Sequence, residues 1–126
     1  MNRNNKRIIA AVEDLFFTVK ISDSAKRAGM EVTFVKTEKD LIDKAKEDQP
    51  VLIIIDLNAS SLKPVALISK LKGSSDLKGI NTLAFVSHVQ GDLKQKALDA
   101  GCNMVLARSA FSTNLPQILK RHSTSL

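Results

Sequence analysis

The sequence predicts an α/β fold, a parallel sheet doubly wound by helices on both faces, and three observations carry that prediction. Short apolar or period-two runs alternate along the chain with segments of helical spacing. Two of the runs, 8–12 and 51–55, are apolar throughout, as strands buried on both faces are. Five such strands separated by helices require right-handed crossovers, which place helices on either side of one sheet. The 126 residues have room for one compact domain spanning 1–126, and no internal repeat, low-complexity tract or linker divides it.

The first strand covers 7–12. A helix follows over 15–28, with Phe17, Ile21, Ala25 and Ala28 recurring on one face and Gly29 as its stop. A short strand covers 31–35. Thr37 then caps a helix running through Glu47, with Asp40 as a capping-box variant and Leu41, Ile42 and Ala45 facing inward. Pro50 punctuates the turn into the third strand, 51–56. After a loop over 57–63 a helix opens with Pro64 near its first turn and buries Val65, Ile68 and Leu71. A polar turn over 73–79 leads to the fourth strand, 82–86. The fourth helix, 91–100, faces inward through Leu93 and Ala97, and the fifth strand covers 104–107. Phe111 and a helix from about Leu115 to Arg121 close the domain, with fraying expected over 123–126.

Composition narrows the function classes. Hydrophobic residues make up 44% and charged residues 25%, with no apolar stretch long enough to span a bilayer, so a soluble protein is expected. The five-residue apolar run before Glu13 is too short for a signal-peptide core, which predicts a cytoplasmic location. Cys102 is the only cysteine; it excludes an internal disulfide and a cysteine-based zinc cluster, and reads as a small buried hydrophobe. A net charge of +6 would suit phosphate binding, yet the lysines are dispersed and no Trp or Tyr offers a stacking platform, so nucleic acid is not the expected partner. The chain has no G-x-G-x-x-G, no P-loop and no glycine-flanked nucleophilic serine, and the adjacent Ser87-His88 pair is too common to signal a triad. It is not expected to be an enzyme.

The acids at the strand ends are the informative feature. Asp56 ends the run 51–55, and Glu13-Asp14 ends the run 8–12. In an open parallel sheet the carboxyl ends of neighbouring central strands meet at one crevice, where such folds place their ligands. Three carboxylates there raise one another's pKa unless a cation compensates, so the pattern predicts a divalent metal or a proton-sharing site. Taken singly, each acid would suit a helix cap or a solvated loop.

The order of an acidic pair after strand one, Asp56 after strand three, Ser87 after strand four and Arg108 after strand five resembles the receiver domain of two-component response regulators, over about Lys6 to Arg121. The resemblance implies a flavodoxin-like sheet with strand order 2-1-3-4-5. It implies that Glu13, Asp14 and Asp56 bind magnesium, with Asn58 offering a backbone carbonyl, and that Asp56 accepts a phosphoryl group from a histidine kinase or phosphotransfer protein. Ser87 matches the hydroxyl that follows the phosphoryl group on activation. A stand-alone, chemotaxis-regulator-like receiver of this kind would act through a downstream protein partner, docking the face around the fourth helix, fifth strand and fifth helix. Phosphoryl transfer to a carboxylate needs a nucleophile held in line, a metal, and a fixed cation and hydroxyl for the remaining charge; Asp56, magnesium, Arg108 and Ser87 would fill those roles.

The sequence also departs from the family pattern. The usual lysine-proline is replaced by Arg108-Ser109, and a planar guanidinium is no equivalent for a point charge that must contact one oxygen. The loop over 57–61 lacks the usual methionine-proline and the later glycine. Val105 stands where many receivers carry an aromatic switch residue, and His88, directly after Ser87, either hangs over the site or is an exposed loop residue. Two functions follow from the resemblance: a phosphoryl-accepting receiver, or a degenerate one that binds its partners without phosphorylation.

Overall fold

The computed structural model describes residues 4–87 and 91–124. Its elements are β1 (Asn4–Ala11), α1 (Leu15–Arg27), β2 (Glu31–Val35), α2 (Glu38–Asp48), β3 (Pro50–Asp56), a 3-10 turn (Ser60–Leu62), α3 (Pro64–Gly73), β4 (Asn81–Val86), α4 (Gly91–Asp99), β5 (Met104–Ala107) and α5 (Arg108–Thr124). The five strands form one sheet in the order β2-β1-β3-β4-β5, and every pairing is parallel.

The strand period of two divides the core between the faces. Ile8, Ala10, Leu52, Ile54, Leu83 and Phe85 pack with Phe17 and Ile21 of α1 and Phe111, Leu115 and Leu119 of α5. Ile9, Ala11, Ile53, Ile55, Ala84 and Val86 pack with residues of α2, α3 and α4, among them Leu41, Ala45, Leu67, Ile68, Leu71 and Ala97. This two-sided burial is the physical reason the central strands read as continuous apolar runs. Local signals then set the helix ends. The Asp40 N–H donates to Thr37 Oγ1 at 3.0 Å to cap α2, and Gln49 closes that helix in the left-handed region, at φ 46°, before buried Pro50 opens β3.

The last helix differs from the expectation. It begins at Arg108, directly after β5, and contains Pro116 in its interior, where the sequence had suggested a start near Leu115. A proline inside a helix costs about 3 kcal/mol. Phe111, Leu115, Ile118 and Leu119 lie at helical spacing and are all buried; each such side chain contributes about 1.5–3 kcal/mol, so the longer helix wins. Two further adjustments are small: Val65 is only half-buried while Leu67 is fully buried, and α5 continues through Thr124. Residues 125–126, part of the stretch expected to fray, lie outside the described residues.

At the edge of the sheet where the strands begin, one lysine ties two connections together. Lys72 Nζ donates to the carbonyl of Ile80 at 2.9 Å and to Asn103 Oδ1 at 2.7 Å. The same Asn103 oxygen accepts the N–H of Thr82 at 2.9 Å, so β4 and the approach to β5 are held in register from below. The opposite edge carries the acids.

Candidate functional site

β1 and β3 are neighbours, with Ala11 level with Ile55, so the residues that follow them reach the same end of the sheet. Asp14 and Asp56 meet there. Asp14 is the N-cap of α1: its Oδ1 accepts the Phe17 N–H at 3.3 Å, and Thr18 Oγ1 donates to its carbonyl at 3.1 Å. Its other oxygen, Oδ2, takes a hydrogen bond from Arg108 Nη2. Asp56, the last residue of β3, is 2% exposed, and its Oδ1 accepts the Asn58 N–H at 2.9 Å. Leu57 continues the pairing by donating its N–H to the Phe85 carbonyl at 3.0 Å.

Arg108 is seated as well as paired. Its guanidinium carbon lies 4.5 Å from the centroid of the Phe17 ring and 5.8 Å from that of Phe85. Phe17, Phe85 and Phe111 form a ring cluster there, with Phe85 and Phe111 stacked at 4.4 Å between centroids and Phe17 tilted against both. A cation over such a ring gains about 0.5–2 kcal/mol depending on its desolvation. Phe17 thus serves two purposes, closing the α1 face of the core and supporting the charge above it.

The electrostatics follow from this pairing. Burial pushes the Asp56 carboxyl above its ordinary range, and the charge of Asp14 adds to the effect; the Asn58 N–H, the Arg108 charge and the Glu13 N–H oppose it. Asp14 is held below the ordinary range. Desolvation there works in the opposite sense, but the Arg108 hydrogen bond, the N–H groups of Phe17 and Phe16 and the Arg108 charge together outweigh it. One cation therefore compensates one acid, and the buried acid beside them bears the strain of its own charge.

The remaining residues singled out from the sequence fall around this centre. Glu13 is exposed, and its Oε2 accepts a hydrogen bond from Ser61 Oγ. Asn58 lies where expected, but its carbonyl accepts the Ser60 N–H at 3.0 Å, and its side-chain Oδ1 accepts the Ser87 N–H at 3.1 Å. Ser87, at the end of β4, is thereby tied to the loop after β3. Val105 is 6% exposed and belongs to the core face of α2–α4. His88 lies outside the described residues. The sequence reading assigned no site role to Phe17, Ser61 or the Asn58 side chain; the position of Phe17 three residues after the capping acid was the available signal.

Three carboxylates and a carbonyl are hard oxygen donors of the kind magnesium takes. Among the described residues no three His, Cys, Asp or Glu side chains stand close enough together to hold a metal ion. Both Asp14 oxygens are already taken, by Arg108 and the Phe17 N–H, and Glu13 Oε2 accepts from Ser61. The donor chemistry fits the ion, and the present side-chain pairings compete with it.

No family model matches the chain. It is 26% identical over 86 residues to the response regulator protein VraR of Staphylococcus saprophyticus, a match covering 68% of this chain and 40% of that protein. The chain thus spans well under half the length of the curated relative it matches. Among solved structures it is similar to the signal receiver domain of a histidine kinase from Syntrophus aciditrophicus, with a TM-score of 0.81 at 17% identity, covering 96% of this chain and 92% of that one. The fold is that of a receiver domain. A second receiver, from a sensor histidine kinase of Pseudomonas aeruginosa, superposes with a TM-score of 0.80 at 18% identity over 95% of this chain and 98% of that one; its structure has a magnesium ion coordinated in the active site cleft. The receiver fold and its strand order are as the sequence resemblance implied. Among the described residues no helix is long and apolar enough to cross a membrane.

Proposed function

We propose that this chain is a response-regulator receiver that accepts a phosphoryl group on Asp56 with magnesium and passes the signal to a protein partner. The observation that carries the reading is the buried carboxylate of Asp56 at the tip of a central strand, with Asp14 and Arg108 beside it and Ser87 tied to the same loop through Asn58. Magnesium coordinated in the cleft of the similar Pseudomonas receiver supports Glu13, Asp14, Asp56 and the Asn58 carbonyl as the groups that would hold the ion here. When bound, the ion neutralises phosphoryl oxygens that would otherwise repel the attacking carboxylate. Asp56 supplies the nucleophilic oxygen, held by the Asn58 N–H, while Ser87 and Arg108 offer a hydroxyl and a cation for the transferred group.

On this reading the chain is a phosphoryl acceptor rather than a turnover enzyme, acts in the cytoplasm, receives its group from a histidine kinase or phosphotransfer protein, and docks its output partner on the face of α4, β5 and α5. Met104 is 39% exposed on that face, and a shallow cavity of about 160 Å³ lies between Leu106, Asn114 and Arg121. One observation favours a second reading: Arg108 is committed to Asp14, so a receiver that never releases it would bind partners without phosphorylation.

The experiment is incubation with acetyl phosphate and magnesium, read by intact mass. One acid-labile phosphoryl group is expected on the wild type and none on Asp56→Asn. No labelling by that donor or by a kinase, with partner binding unaffected by Asp56→Asn, would leave the phosphorylation-independent module standing.

A further inference from the structure

We propose that Arg108 is a tethered counter-ion that competes with the divalent cation for Asp14, so that metal enters this site by exchange with the guanidinium rather than by filling an open position. The inference rests on the metal-dependent reading above and concerns what sets the affinity of that site. Both oxygens of Asp14 are committed: Oδ1 caps α1 through the Phe17 N–H at 3.3 Å, and Oδ2 is held by Arg108 Nη2. Giving up the cap would cost the start of α1, whereas the Arg108 contact exchanges one cation for another. Oδ2 is therefore the oxygen a metal would take.

Arg108 is well placed to resist. It begins α5 directly after β5, so its backbone is fixed, and the ring of Phe17 lies 4.5 Å beneath its guanidinium carbon. A lysine ammonium could hold the carboxylate oxygen but could not also lie flat on the ring as a planar guanidinium does. The arginine thus has two supports, the carboxylate and the ring, and the ring can be altered without touching any charged group. The site's resting cation is part of the chain, and exchange is reciprocal: what weakens the hold of Arg108 on Asp14 strengthens the metal.

The test is manganese binding to the metal-free protein, followed by the electron paramagnetic resonance of free Mn²⁺, with isothermal titration of Mg²⁺ as a second measure. Arg108→Met should bind Mn²⁺ at least about tenfold more tightly than wild type, an exchange worth about 1.4 kcal/mol. Phe17→Leu, which leaves every charge in place, should tighten binding about two- to fivefold, the scale of a lost cation–ring contact. Arg108→Lys should fall between wild type and Arg108→Met. Should Arg108→Met fail to fold, Phe17→Leu and Arg108→Lys still decide the matter. Equal affinities in wild type and these variants, with Asp56→Asn weakening all of them, would overturn the exchange while leaving the carboxylate site intact. If the tight binding of Arg108→Met survives addition of Asp56→Asn, the metal is not held at Asp56 and the functional reading itself fails. Absence of Mn²⁺ binding in every protein overturns both.

Discussion

The side chain of Asn58 accepts the N–H of Ser87 at 3.1 Å while its own N–H donates to Asp56 at 2.9 Å, so one residue joins the buried acid of β3 to the loop that leaves β4. The link crosses 29 residues of sequence and is made by a side chain in a position where only a backbone carbonyl had been expected to matter. Any displacement of Ser87 toward a group on Asp56 has to begin by loosening or carrying this contact.

Asn58→Ala should therefore cost about 0.5–1.5 kcal/mol, the net contribution of one hydrogen bond. Urea denaturation reads the loss, and amide exchange should show faster exchange at Ser87 with the centre of β4 unchanged. Uniformly faster exchange along β4 would mean that the contact holds the whole strand and not the loop.

The raised pKa of Asp56 fixes the sign of a pH effect. Its folded-state pKa lies above the unfolded value of about 3.9, so the folded protein binds more protons between the two, and stability falls as pH rises through that window. Without metal at pH 7 the ionised carboxylate is a burden, and Asp56→Asn should be more stable than wild type, the two converging as pH falls below the unfolded value. Magnesium at ten to a hundred times its dissociation constant should add roughly 1–3 kcal/mol to the wild type and less to the variant. Thermal unfolding across pH, with and without the ion, checks both. A variant less stable than wild type at pH 7 without metal would contradict the assignment of burial as the dominant influence.

Gly101 adopts φ +108°, and a Cβ there would stand 2.8 Å from Lys72 Cγ. Gly101→Ala should cost about 1–3 kcal/mol, because backbone strain and displacement of the lysine stem act together. Equilibrium unfolding measures it. Truncating the obstacle in Gly101→Ala/Lys72→Ala should not restore stability, since the same change removes the bonds to Ile80 and Asn103.

The fold was legible in the sequence because both faces of the sheet are covered: continuous apolar strands such as 51–55 and helices with one apolar stripe leave little choice of architecture. Local chemistry marked Thr37 and Pro64 correctly. At α5 the proline signal and the burial of Phe111 pointed in opposite directions, and only the packed structure shows which is larger. At the site, strand order brings Asp14 and Asp56 to one crevice, whereas Glu13, expected with them, is exposed and bonded to Ser61. Position along the chain did not tell how the side chains of the two aspartates pair, because Arg108 lies 94 residues from Asp14 and its choice between the two acids depends on a ring supplied by α1.

The phenylalanine cluster at Arg108 also gives the protein a spectroscopic signature of its own. The chain has no tryptophan or tyrosine, and three of its five phenylalanines, Phe17, Phe85 and Phe111, are in mutual ring contact, with Phe17 and Phe85 facing the guanidinium. Near-ultraviolet circular dichroism, normally swamped by indole and phenol bands, here reports on those rings. Departure of the guanidinium alters the field on Phe17 and hence the fine structure of its band, so events at the acidic crevice can be followed in unlabelled protein without an engineered probe.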